Sequence, residues 1–209
     1  ATILSCTLLS FEALTFSNGA PAGRSGSPAS GNQTCAGGGC HNGGPAISTQ
    51  TISITTDIPA LGFSPNTDYT VTIVLDGNGT PVNKGGFEAS IEDAGASQGV
   101  ISIGASTDLR VVSGSFVTHT SAGNAFSGNK KTYSFTWNSG AAPDQTTIYV
   151  AANFSNNNGG NSGDAIGTET LVLTKNNGVS LTEPKNVVIK MYPNPVSSIL
   201  SLENVPSAV

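Results

Sequence analysis

The sequence predicts an all-β protein, an immunoglobulin-like Greek-key β-sandwich led by a long Gly/Pro/Ser-rich N-terminal loop. Three observations predict it. Short runs rich in Val, Ile and Thr alternate apolar with polar residues, the period of a half-buried strand. Gly, Asn and Pro turns separate these runs at short spacing, and no segment sustains the 3.6-residue period of a helix.

The first strand is expected over residues 47–56, where β-branched residues dominate. Residues 69–75 form a second, ended by the turn Asp76-Gly77-Asn78-Gly79. Further strands are expected over 87–91, 100–103, 109–112 and 116–120. Residues 131–137 alternate cleanly and place Tyr133, Phe135 and Trp137 on one face, the pattern of core packing. Residues 146–152 and 169–174 complete the set.

Composition narrows the function classes. Charged residues make up 10% of the chain, against roughly 25% in ordinary soluble proteins. Hydroxyl and amide side chains take their place, as in many extracellular β proteins. Net charge is −5 with 8 Lys and Arg, so no basic field attracts a phosphate backbone and nucleic-acid binding is excluded. Residues 1–16 are apolar and lead into the small residues Ser17, Asn18, Gly19 and Ala20, which reads as residues 1–18 being the remnant of a signal peptide clipped at its start. Cys6 then belongs to the leader; the alternative is a first strand. Elsewhere no run approaches the ~18 apolar residues of a transmembrane helix.

Residues 18–45 carry no hydrophobic period and are dominated by Gly, Ser, Pro and Ala. A loop this long inside a compact domain is functional or disordered, and it holds two of the three cysteines. After Thr174 the strand pattern stops, giving a sandwich over 19–176, a polar linker over 177–186 and a separate segment over 187–209.

Two resemblances follow. Tyr192-Pro193-Asn194-Pro195, followed by Val196, Ile199, Leu200 and Leu202, resembles the opening of the type IX secretion sorting domain. That likeness implies cargo of the type IX secretion machinery, released at the outer cell surface of a Gram-negative bacterium, with the sorting domain truncated here. The body resembles the choice-of-anchor V family, a reeler-like β-sandwich group. The likeness is carried by residues 19–28, by Thr34-Cys35 and Cys40-His41, by Val117-Thr118-His119-Thr120, by Phe135-Thr136-Trp137 with Pro143, and by residues 148–153 leading to Asn161-Ser162-Gly163-Asp164. It implies a fold and a location and supplies no activity.

The segment with recognisable chemistry is Cys35-Ala36-Gly37-Gly38-Gly39-Cys40-His41. Covalent haem needs two thiols and a His directly after the second; Cys-x-x-Cys-His is the usual spacing, and four intervening residues make a rarer variant. The three glycines let the longer loop fold tightly. Two other readings stand beside haem c. An oxidising compartment favours a Cys35–Cys40 disulfide, and Cys35, Cys40, His41 and His119 are four potential zinc ligands at unfamiliar spacing. If haem is bound, His41 is the first axial ligand and His119 the candidate for the second, because Met191 lies in the C-terminal segment. Two imidazoles would give a six-coordinate iron suited to electron transfer.

No enzyme is expected. Glu88, Glu92 and Asp93 are close in sequence, but the last two read as turn residues next to Gly95. Asp76, Asp144 and Asp164 also fall at turns, where aspartate bonds the main chain. Asp76-Gly77-Asn78-Gly79 lacks the later Glu of a calcium loop. Two functional readings result: a surface haem protein serving a redox partner, or a cofactor-free adhesion or matrix module closed by a Cys35–Cys40 disulfide.

Overall fold

A computed structural model describes residues 17–41 and 44–178, together with the backbone of 190–192 and 201–203. Residues 1–16 with Cys6, expected to be a leader, and most of the expected linker and sorting segment lie outside the described residues. The chain divides into two compact units, Ala1–Asn176 and Asn177–Val209.

The first unit is a sandwich of two antiparallel sheets. One has the order β1 (Thr51–Thr56), β2 (Asp68–Asp76), β8 (Lys130–Asn138) and β5 (Val100–Ser102). The other runs β10 (Ala165–Thr174), β9 (Gln145–Ser155), β3 (Lys84–Asp93), β7 (Phe116–His119) and β6 (Leu109–Val112), with the short β4 (Ala96–Ser97) folded back on β3. The chain repeatedly changes sheets, so β2 pairs β8 and β3 pairs β9, the crossed connections of a Greek-key sandwich. In the second unit, β11 (Lys190–Tyr192) pairs antiparallel with β12 (Ser201–Glu203), Met191 opposite Leu202.

The aromatic stripe read from the sequence is the centre of the core. Tyr133, Phe135 and Trp137 are each at most 4% exposed. Trp137 meets Phe63 edge-on at 5.2 Å and sends its indole N–H to the Gln98 carbonyl at 2.9 Å. Tyr133 stacks near Phe87 at 4.4 Å and donates to the Gly123 carbonyl. Each buried polar handle therefore has a partner.

Several strands differ from the sequence reading. β3 begins at Lys84, β10 at Ala165, and β9 runs on to Ser155, all longer than expected. Gly85, Gly86 and Gly167 hid the first two extensions, since glycine reads as a strand breaker. At Gly167 the gap is filled from above, because a Cβ there would strike Ile47. Ile47 accordingly leaves β1 and instead donates its N–H to the Ile166 carbonyl at 3.2 Å. Glu92 and Asp93 lie in β3, paired with Ser97 and Ala96, and not in a turn.

The Gly/Ser/Pro loop forms a third layer. Residues 85–92 of β3 are buried throughout, which a strand covered on one face cannot achieve. Phe87, Ala89 and Ile91 face the sandwich core; Glu88, Ser90 and Glu92 face the loop. Arg24 donates its backbone N–H to the Glu88 carboxylate, and Ala29 does so to Glu92 at 3.0 Å. Ser25 Oγ meets the hydroxyls of Ser27, Ser30 and Ser90 at 2.9, 2.6 and 2.9 Å. A loop without an apolar period is thus fixed by polar bonds to a buried sheet face. Ser90→Ala is expected to lower stability by about 1 kcal/mol, the worth of one buried hydrogen bond, read as a shift of the urea midpoint.

Candidate functional site

The loop and the second sheet line a half-open cavity of about 240 Å³. Cys35, Cys40 and His41 reach it from the loop, Gly86 and Phe87 from β3, His119 from β7, Asn153 from β9, and Asp164 from the residue before β10. All four residues singled out by sequence line this one cavity, although 78 positions separate His41 from His119.

Cys35 is 7% exposed, its thiol directed toward the Ala151 carbonyl at 3.9 Å. Burial, reinforced by the nearby Glu88 carboxylate, pushes its pKa up to about 12, so the sulfur is a neutral thiol. A 3-10 turn over Gly37–Gly39 leads to the half-buried Cys40. Both cysteines are free, which corrects the disulfide expectation: the Cys35 sulfur is turned onto the β9 main chain. Among the described residues no group of three or more His, Cys, Asp and Glu side chains is placed to hold a metal ion.

His41 is held from behind. Its Nδ1 lies 2.7 Å from Asp164 Oδ2, and Asp164 is 1% exposed. The same carboxylate accepts from the Asn153 amide at 3.3 Å and from the Asn156 backbone N–H at 2.9 Å. Asp164 was legible only as a turn residue; its partner is 123 positions away. Sequence reasoning missed Asn153 too. It stacks its amide over the His41 ring, 3.3 Å from both ring nitrogens, and its Oδ1 is buried without a hydrogen-bond partner.

His119 sits where the β3–β7 ladder ends, its last rung being Glu88 opposite Thr118. Beyond that rung, the Phe87 N–H donates to His119 Nδ1 at 3.2 Å. Burial, countered by the Phe87 carbonyl 3.4 Å from Nδ1 and aided by the Arg110 and His41 charges, lowers the imidazole pKa to about 4, so the ring is neutral at physiological pH. Gly86 makes the room: a Cβ there would overlap the imidazole. Gly86→Ala is expected to displace the ring and lower stability by about 1–3 kcal/mol, the range for overpacking, with an altered His119 side-chain NMR signal as its local readout.

Glu88 stands next to the site, fully buried under Arg24. Burial lifts its pKa to about 7 against the opposing backbone N–H groups of Arg24 and Gly23 and the charges of Arg24 and Arg110.

No family model matches the chain, and no curated protein matches it. The sandwich is similar to the human F-spondin reeler domain, at 14% identity and a TM-score of 0.43, over 63% of this chain and 95% of that one. A second F-spondin structure, of its Reelin-N domain, gives 16% identity and 0.41 over 64% and 91%. A cohesin module from a Clostridium perfringens family 33 glycoside hydrolase gives 10% and 0.43 over 62% and 98%. Among the described residues no helix is long and apolar enough to cross a membrane. The first unit itself is an all-β sandwich of two antiparallel sheets.

Proposed function

We propose that the cavity carries one haem bound covalently through Cys35 and Cys40, with His41 as an axial ligand, and that the protein works in electron transfer at a cell surface. One observation carries this reading: both cysteines and both histidines of the chain's sandwich line one cavity, with His41 oriented by a buried carboxylate.

The side chains supply part of what such a group needs, although the Cys35 thiol would have to turn away from the Ala151 carbonyl to reach it. Thioether bonds require free thiols, and both are free. An imidazole that donates Nδ1–H to Asp164 has its lone pair on Nε2, which a metal would take from the Asn153 amide 3.3 Å away, and a carboxylate behind a ligating His makes it a stronger donor. When bound, haem supplies a reversible one-electron iron centre. The polypeptide supplies orientation through Asp164 and a wall of Phe87 and Gly86. The cavity is smaller than the roughly 300–1,000 Å³ typical of pockets that enclose drug-sized ligands, so a haem held there would lie largely outside it.

The leader-like residues 1–18 and the Tyr192-Pro193-Asn194-Pro195 segment support export through the type IX secretion machinery to the outer surface of a Gram-negative bacterium. The choice-of-anchor V likeness supports the same location. The test is an absorption spectrum of protein made in a host that attaches haem to exported chains. A Soret band that survives acid-acetone extraction is expected. A colourless protein with two titratable thiols would replace this reading with the cofactor-free surface module. Asp164→Asn in the coloured protein is expected to raise the reduction potential, measured by spectroelectrochemical titration, because the imidazole loses its anionic partner.

A further inference from the structure

Residues 25–33 of the loop layer are knotted on themselves. The Gly26 N–H donates to the Gln33 carbonyl at 2.8 Å, the Asn32 N–H to the Ser27 carbonyl at 2.9 Å, and the Gln33 N–H to the Ser30 carbonyl at 3.1 Å. The Ser25, Ser27 and Ser30 hydroxyls close the same knot from inside. Among the described residues, three hydrogen bonds tether the knot to β3: the Arg24 N–H on Glu88, Ser25 Oγ on Ser90 at 2.9 Å, and the Ala29 N–H on Glu92 at 3.0 Å.

Apolar burial adds little to these tethers. Among the described residues, the hydrophobic core begins at Ile47 and takes no side chain from residues 17–41. The buried side chains of the loop are Ser25, Ser27, Ser30 and Cys35. A layer with few apolar contacts sits at the low end of local stability. Closure also leaves Glu88 Oε2 and Glu92 Oε1 buried with no hydrogen-bond partner. Lifting the layer hydrates both oxygens, which offsets the lost tethers.

The ends of the layer are anchored separately. The Ala20 N–H donates to Thr118 Oγ1 at 3.1 Å, and Arg110 reaches the Gly19 and Ala20 carbonyls at 3.3 and 3.2 Å. At the other end His41 is held by Asp164. Between these anchors lies Cys35, its sulfur closed against the β9 main chain. We propose that residues 24–35 are a flap that opens between fixed ends without unfolding the sandwich, and that this opening is the route by which a thiol-directed reagent reaches Cys35. The inference goes beyond the haem reading and does not need it: attachment at Cys35 would use the same opening, but the flap belongs to the cofactor-free chain.

Alkylation of the cofactor-free protein by dilute iodoacetamide, read peptide by peptide by mass spectrometry, tests this. The sulfur–carbon bond forms as iodide leaves and the thiol proton passes to solvent, and the rate follows the open fraction when closing is fast. Cys35 in the wild type is expected to react far more slowly than in the urea-unfolded chain. Ser90→Ala removes one tether, and its Cys35 should react roughly fivefold faster, the fold-change of one buried hydrogen bond. Ile73→Val thins the core on the opposite sheet, where Ile73 is fully buried in β2; it should lower the urea midpoint and leave the Cys35 rate unchanged. A Cys35 rate that rises with Ile73→Val shows that exposure needs global unfolding and overturns the flap. So does a rate that Ser90→Ala leaves unmoved, or a wild-type rate equal to that of the unfolded chain. A colourless protein ends the haem reading and leaves the flap standing.

Discussion

Replacing Asp164 with alanine is expected to lower the stability of the cofactor-free protein by about 4–5 kcal/mol. The 1%-exposed carboxylate gathers three donors: His41 Nδ1, the Asn153 amide and the Asn156 backbone N–H. Hydrogen bonds to a charged group contribute about 1.5–3 kcal/mol each, and His41, being partly exposed, contributes at the low end. Alanine would leave Asn153 and the Asn156 N–H without their acceptor and free the Asn-rich loop that leads into β10. Asp164→Asn keeps one oxygen for the Asn156 N–H and should cost less than half as much. Urea unfolding of the three proteins measures both values. Equal losses for Ala and Asn would show that the charge, rather than the acceptor count, holds the loop.

Between pH 4.5 and 6.5 the cofactor-free wild type is expected to show nearly flat stability, because two buried groups drive opposite slopes. Glu88 titrates near 7 in the folded protein against an ordinary 4.5. Between those values the folded chain holds a proton that the unfolded chain has lost, so stability falls as pH rises. His119 titrates near 4 against an ordinary 6.5. Between those values the unfolded chain binds the extra proton, so stability rises with pH. Each effect is roughly 3 kcal/mol over its window. Glu88→Gln removes the falling slope, and its stability should climb from pH 4 to 6.5. His119→Phe removes the rising slope, and its stability should fall from pH 4.5 to 7. Unfolding free energies at several pH values check this; parallel profiles for all three proteins would contradict it.

The sandwich was legible because strand alternation, turn residues and the Tyr133–Trp137 stripe are local signals. The edges of β3 and β10 were not, since Gly85, Gly86 and Gly167 break the pattern for reasons that lie on other strands. Gly86 looks like a strand terminator until the His119 ring is seen against it. At the site, Cys35, Cys40 and His41 stood out through spacing, and His119 through scarcity, the chain having two histidines. That these four residues share a cavity could not be read from order alone. Asp164 and Asn153 fall in segments that carry the family likeness but showed no chemistry of their own, because one resembles any turn aspartate and the other any strand asparagine. Glu88 was noticed and misjudged in weight: only the loop layer, which has no periodicity of its own, buries it.

The central claim is that the Cys35–His41 segment and its cavity hold a covalent haem. Mass spectrometry of the intact chain, produced with haem-attachment machinery and unfolded in acid, tests it directly. The account predicts a mass increase of one haem that vanishes in the Cys35→Ala/Cys40→Ala double variant. A wild-type chain at its unmodified mass, colourless and with both thiols open to alkylation, would contradict it.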